Sequence, residues 1–182
     1  MLSNAVVYCS LIFAAFGFLQ SCKETTKAPV PDNKEEQITT VKLEFYDTAN
    51  GQILNYYFRD FDINGTNPPS QWDTIRLAAN STYTANLRLL NESDPNSIIN
   101  VTGEILSEEK SHIICYSTTT MAVIIRTDTD GQFPVGIATK WFTGLTSTGN
   151  LKLTLKHQDG IKDGKCEPGT IDIEVSFPCI IK

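Results

Sequence analysis

Residues 171–177 read Ile171-Asp172-Ile173-Glu174-Val175-Ser176-Phe177. Apolar side chains at 171, 173, 175 and 177 alternate with polar ones at 172, 174 and 176. Successive side chains of a strand point to opposite faces, so this period of two predicts a strand with one buried face, the signature of an antiparallel sheet. The same alternation occurs in Val41, Leu43 and Phe45 against Lys42, Glu44 and Tyr46. It recurs in Leu151, Leu153 and Leu155 against Lys152, Thr154 and Lys156. Further strands are expected over 52–59, 73–79, 82–90, 111–117, 121–127 and 135–143. Turn-forming pairs separate them: Asn50-Gly51, Asn64-Gly65, Pro68-Pro69, Asp130-Gly131, Gly149-Asn150 and Asp163-Gly164. About nine short strands in one domain predict an all-β fold, an immunoglobulin-like or fibronectin-like antiparallel β-sandwich. One stretch departs from the period. In 94–110, Ile98, Val101 and Ile105 fit helical spacing, Gly103 interrupts it, and 101–106 also reads as a strand. The expectation there is a strand or a short helix covering a sandwich edge.

The start of the chain has a different character. Ala5 to Leu19 is an apolar run of fifteen residues, shorter than the roughly 20 a membrane-spanning helix needs and suited to the core of a secretory signal. It ends in Leu19-Gln20-Ser21-Cys22. This tetrapeptide resembles the lipobox of bacterial lipoproteins, in particular those of the Bacteroidota: an aliphatic residue, two spacers with the second small, then cysteine. The resemblance implies removal of residues 1–21, lipidation of Cys22, and anchorage at the outer membrane. Lys23-Glu24 resembles the first half of the signal that sends such proteins to the cell surface; the periplasmic face is the alternative. Residues 22–37 carry two prolines and little apolar surface, which predicts a flexible tether. The β domain then spans 38–182.

Composition narrows the partners. The chain has 15 Lys+Arg against 21 Asp+Glu, a net charge of −6, and no basic cluster, which argues against nucleic acid. The expected contacts are the membrane through the N-terminal lipid, and a protein partner or a small nutrient or glycan. The leading expectation is a binding or accessory lipoprotein, for instance the partner of an outer-membrane nutrient transporter. A carbohydrate-binding or adhesion module and a metal-handling lipoprotein are the alternatives. An enzyme is not expected: there is no Gly-x-Ser-x-Gly, no phosphate-cradling glycine loop and no His-Glu-x-x-His.

Three places carry candidate chemistry. Asp60, Asp62 and Asn64 put oxygen ligands at alternate positions before Gly65, as at the start of a calcium loop, although Gln71 stands where that loop would end in Glu. The same residues fit an acidic turn. His112 and His157, the two histidines of the chain, form a second candidate metal set with Glu108, which a helical turn would place on the face of His112. Both histidines also fit solvated strand ends. Trp72, in a loop after two prolines, is the candidate ligand handle, while Trp141 in an alternating strand reads as a core plug.

Cys115, Cys166 and Cys179 remain in the exported chain. If 170–179 is one extended strand, Cys179 lies roughly 30 Å from Thr170, and Cys166 folds back at most about 14 Å. A Cys166–Cys179 bridge is thereby excluded, since bridged Cα atoms lie within about 7 Å. Any bridge joins Cys115 to one of the two. Cys179 continues the inward series of the last strand and reads as a small core residue.

Overall fold

The computed structural model describes residues 37–61, 65 and 67–182. The expected signal segment, Cys22 and all of the expected tether but Gln37 lie outside them, as do Asp62 and Asn64. The elements are β1 (Thr40–Asp47), β2 (Ile53–Arg59), β3 (Gln71–Trp72), β4 (Ile75–Leu77), β5 (Thr82–Leu90), α1 (Val101–Ser107), β6 (His112–Thr118), β7 (Ala122–Arg126), β8 (Ala138–Thr143), β9 (Ser147–His157) and β10 (Thr170–Ile181).

The strands form two sheets. A six-stranded sheet has the order β3-β2-β1-β5-β8-β7, and a four-stranded sheet the order β4-β10-β9-β6. All pairings are antiparallel except β4 on β10. The inward residues of both sheets make one core. Val41, Leu43, Phe45, Tyr83, Leu87, Leu89 and Trp141 from the larger sheet meet Leu151, Leu153, Leu155, Val175 and Phe177 from the smaller. The fold is therefore an all-β sandwich whose faces follow from the period of two. Trp141 is the plug its strand parity implies. It is fully buried, edge-on to Phe45 at 4.9 Å between ring centroids, and its indole N–H donates to Thr139 Oγ1 at 2.8 Å.

Both lateral openings of the sandwich are tied shut. On one side β3 and β4 belong to different sheets, and Trp72 Nε1 donates across to the Ser176 carbonyl at 2.9 Å. On the other side the 127–137 segment leaves the β7 edge and reaches β6, where Ile114 N–H donates to the Val135 carbonyl at 2.7 Å and Tyr116 Oη to the Gly136 carbonyl at 2.8 Å. Gly136 has φ +102, and a Cβ there would sit 2.6 Å from the Ile114 carbonyl oxygen. Only glycine permits that approach.

The ambiguous stretch is helical over Val101–Ser107. It buries Val101, Thr102 and Ile105. Thr102 Oγ1 accepts from Leu89 N–H at 2.7 Å, which pins the helix to β5. The expected strand at 73–79 shrinks to Ile75–Leu77, and that at 135–143 begins at Ala138. The largest departure is in β10. Ile171 and Ile173 pair with Lys156 and Leu155, neighbours in β9, so the register shifts by one residue at Asp172. The inward series holds from Ile173 to Ile181, but Ile171 is turned outward and is 51% exposed.

Cys115 and Cys166 form a disulfide with Cα atoms 6.0 Å apart, and Cys179 is a free, buried cysteine. Non-reducing peptide mapping of the protein is expected to find the Cys115–Cys166 link, with Cys179 resistant to alkylation until the protein is unfolded. A linked Cys179 would show β10 to be wrongly placed.

Candidate metal centre

Cross-strand register brings the two histidines together. In the β6–β9 ladder His112 lies directly opposite His157. Both share the inward parity of their strands, with Ile114 and Leu155 two residues away in the core. The rings meet edge to face, with centroids 4.7 Å apart and planes at 85°. His112 Nε2 is 3.2 Å from His157 Nδ1. Asp172 comes from the third neighbouring strand. The inserted residue of a β-bulge points its side chain out of the regular alternation, and here Asp172 joins the histidine end of the sheet. The available ligand atoms of His112, His157 and Asp172 all lie within 4.8 Å of one another.

The shell around His112 selects its ligand atom. Its Nδ1 is 3.1 Å from the Glu108 carbonyl oxygen. That oxygen only accepts, so Nδ1 carries the hydrogen and Nε2 presents its lone pair toward His157 Nδ1. Fixing one ring nitrogen on a backbone carbonyl is the usual outer support of a metal-binding histidine. The carbonyl is held in turn by the chain leaving α1, since it also accepts the Ser111 N–H at 2.8 Å. Two imidazole nitrogens on one tetrahedral zinc, at bonds of about 2.0–2.1 Å, stand roughly 3.3 Å apart. The observed 3.2 Å separation matches.

Electrostatics favour the metal-binding form. Burial lowers the His112 pKa below its ordinary value of 6.5 and His157 adds to the lowering, while the Glu108 carbonyl and the carboxylates of Asp172 and Glu108 pull the other way without overcoming it. The net direction favours the neutral ring, the form a ligand must take.

The 158–169 loop joins His157 to the strand that carries Asp172, and it is strongly tethered. Gln158, fully buried, donates through Nε2 to the carbonyls of Lys165 and Pro168. Lys156 Nζ donates to the carbonyls of Cys166 and Glu167. Gly169, at φ +85, passes so close that a Cβ would lie 2.1 Å from the His157 carbonyl oxygen. Lys162 and Asp130 form an ion pair at 2.7 Å, each side chain 3% exposed. Burial alone would raise the Asp130 carboxyl, but Lys162 and the N–H groups of Phe133 and Gln132 overcome it and hold the pKa at about 2. This pair floors a cleft of 540 Å3 lined by Lys110, Ser111, Phe133 and Asp159.

The other candidate residues are placed as follows. Glu108 contributes its carbonyl, and its side chain is exposed; Asp172 takes the carboxylate position that the sequence reading gave to Glu108. Asp60 N–H donates to the Thr39 carbonyl, and its partners in the calcium reading, Asp62 and Asn64, lie outside the described residues. Trp72 is 56% exposed, but its N–H is spent on Ser176 and its ring packs edge-on to Phe58. Asp172 was invisible to periodicity, which put it on the solvent face; a one-residue bulge leaves no compositional mark. Among the described residues no helix is long and apolar enough to cross a membrane. Comparison with protein-family models, curated proteins and solved structures finds no match to this chain.

The depressed His112 pKa has a signed consequence. The unfolded chain binds the proton first, so this contribution to stability is complete above pH 6.5 and declines as pH falls toward the folded pKa. The Asp130 contribution is lost lower down, between its ordinary 3.8 and about 2. Urea unfolding of metal-free protein at a series of pH values is expected to show both declines. His112→Asn should abolish the upper one and leave the lower.

Proposed function

We propose that this chain is a lipid-anchored, extracytoplasmic β-sandwich that binds one divalent transition-metal ion of the zinc class, as a metal-handling or accessory lipoprotein of the outer membrane. The single observation that carries the metal reading is the convergence of His112, His157 and Asp172, one ligand atom from each lying within 4.8 Å of the others. Two imidazoles and one carboxylate suit zinc and its neighbours, whereas calcium and magnesium take oxygen ligands. Three protein ligands leave a fourth position for water or for a donor from a partner. The anchor rests on Leu19-Gln20-Ser21-Cys22 after the apolar run. The tether expected over 22–37 and the β domain over 38–182 suit binding and delivery to a partner such as an outer-membrane transporter.

Titration of the exported chain with zinc, followed by calorimetry, is expected to give one site per chain. Asp172→Asn and His157→Gln should each weaken it by at least about 100-fold, given that even outer-shell changes cost 10–100-fold. Zinc should raise the melting temperature of the parent and not of these variants. Binding that is indifferent to both substitutions would defeat the metal reading. For the anchor, Cys22→Ala is expected to abolish labelling by a fatty-acid probe and to release the protein from membranes.

A further inference from the structure

We infer that the Cys115–Cys166 disulfide and the His112/His157/Asp172 metal centre are thermodynamically coupled, so that the oxidised chain binds the ion more tightly than the dithiol chain, and the ion protects the disulfide from reduction. This rests on the metal reading above. The two cross-links tie the same three pieces of chain. Cys115 lies three residues after His112 on β6, and Cys166 lies between the other two ligands, nine residues after His157 and six before Asp172. With the bridge closed, the loop that delivers Asp172 is pinned at its middle to the strand that carries His112. Without it, the 158–169 loop is held by non-covalent contacts: the hydrogen bonds of Lys156, Gln158 and Lys162, the Lys162–Asp130 pair, and the donors Ser111 Oγ and Arg126 Nη2 on Asp159 and the Gly164 carbonyl. The ion must then supply the ordering entropy that the bridge had already removed.

The thiols do not join the ligand set. Residues 112 and 115 have opposite parity on one strand and so face opposite sides of the sheet. Cys115 and Cys166 line the outer groove with Thr154, Lys156, Ile171 and Glu174, while the histidines share the inner parity. Reduction therefore loosens the centre and adds no donor to it. Coupling of this kind is reciprocal in binding free energy.

The test compares the oxidised parent with Cys115→Ser/Cys166→Ser, in which no thiol at these positions can capture zinc. Zinc affinity is expected to fall at least about tenfold in the double variant, with a β-type circular dichroism spectrum retained. A second measurement needs no variant. Tris(2-carboxyethyl)phosphine with one water converts the disulfide to two thiols, the phosphine becoming its oxide. The rate of thiol appearance in native protein should drop at least about tenfold when zinc is added. Equal affinities in a folded double variant, or equal reduction rates with and without zinc if that variant does not fold, would overturn the coupling while leaving the metal site standing. No zinc uptake by the oxidised parent would overturn both.

Discussion

A strand that must bury one face for its whole length has no freedom in register, and β10 meets that demand with one residue too many. From Ile173 to Ile181 its odd-numbered residues face the core against Leu151, Leu153 and Leu155. Asp172 is the extra residue. Below it the parity reverses, because every residue inserted in a strand exchanges the two faces. Ile171 is therefore sent to the outer groove beside the disulfide, and a carboxylate takes the end of the sheet where a further isoleucine would have extended the core. The polar centre thus arises from a register choice in one strand.

The two ends of the sandwich are consequently stabilised by different means. Around Trp141, Phe45 and Tyr83 the interior is a cluster of edge-to-face aromatics fully removed from water, the kind of packing that supplies most of a domain's stability. At the histidine end apolar burial gives way to specific links: the disulfide, the buried Lys162–Asp130 pair, and buried Lys156 and Gln158 spending their nitrogens on loop carbonyls. Each such link stabilises only if its geometry is met, since an unpartnered buried polar group costs more than a good bond returns.

What the sequence revealed and what it hid divide along the same line. The core strands were legible because alternation is a local property: Val41 to Phe45, Leu151 to Leu155 and Val175 to Phe177 lie where their period puts them. Cys179 and Trp141 followed from the parity of their own strands, and the exclusion of a Cys166–Cys179 bridge followed from strand length. The helix at Val101–Ser107 was ambiguous because Gly103 weakens helical preference, and the decision falls to a tertiary contact, Thr102 on Leu89. The histidine pair could be suspected but not assembled. His112 and His157 are 45 residues apart, and only the β6–β9 register sets them opposite each other. Asp172 lay beyond any local pattern, since the alternation in which it sits argued for the solvent face.

The state of the histidine pair bears on what such a centre does. With Nδ1 of His112 committed to the Glu108 carbonyl, Nε2 can only accept, and His157 Nδ1 at 3.2 Å supplies the hydrogen. The pair is therefore satisfied by its own hydrogen bond. On the metal reading proposed above, His112, His157 and Asp172 would hold the ion, and its uptake would compete with the hydrogen bond between the two rings, because a ligating imidazole nitrogen carries no proton. A closed structural zinc site has four protein ligands and unfolds when the metal leaves. Three ligands around a histidine pair that is hydrogen-bonded to itself without a metal would suit a centre that exchanges its ion, which is what the metal-handling reading proposed above requires.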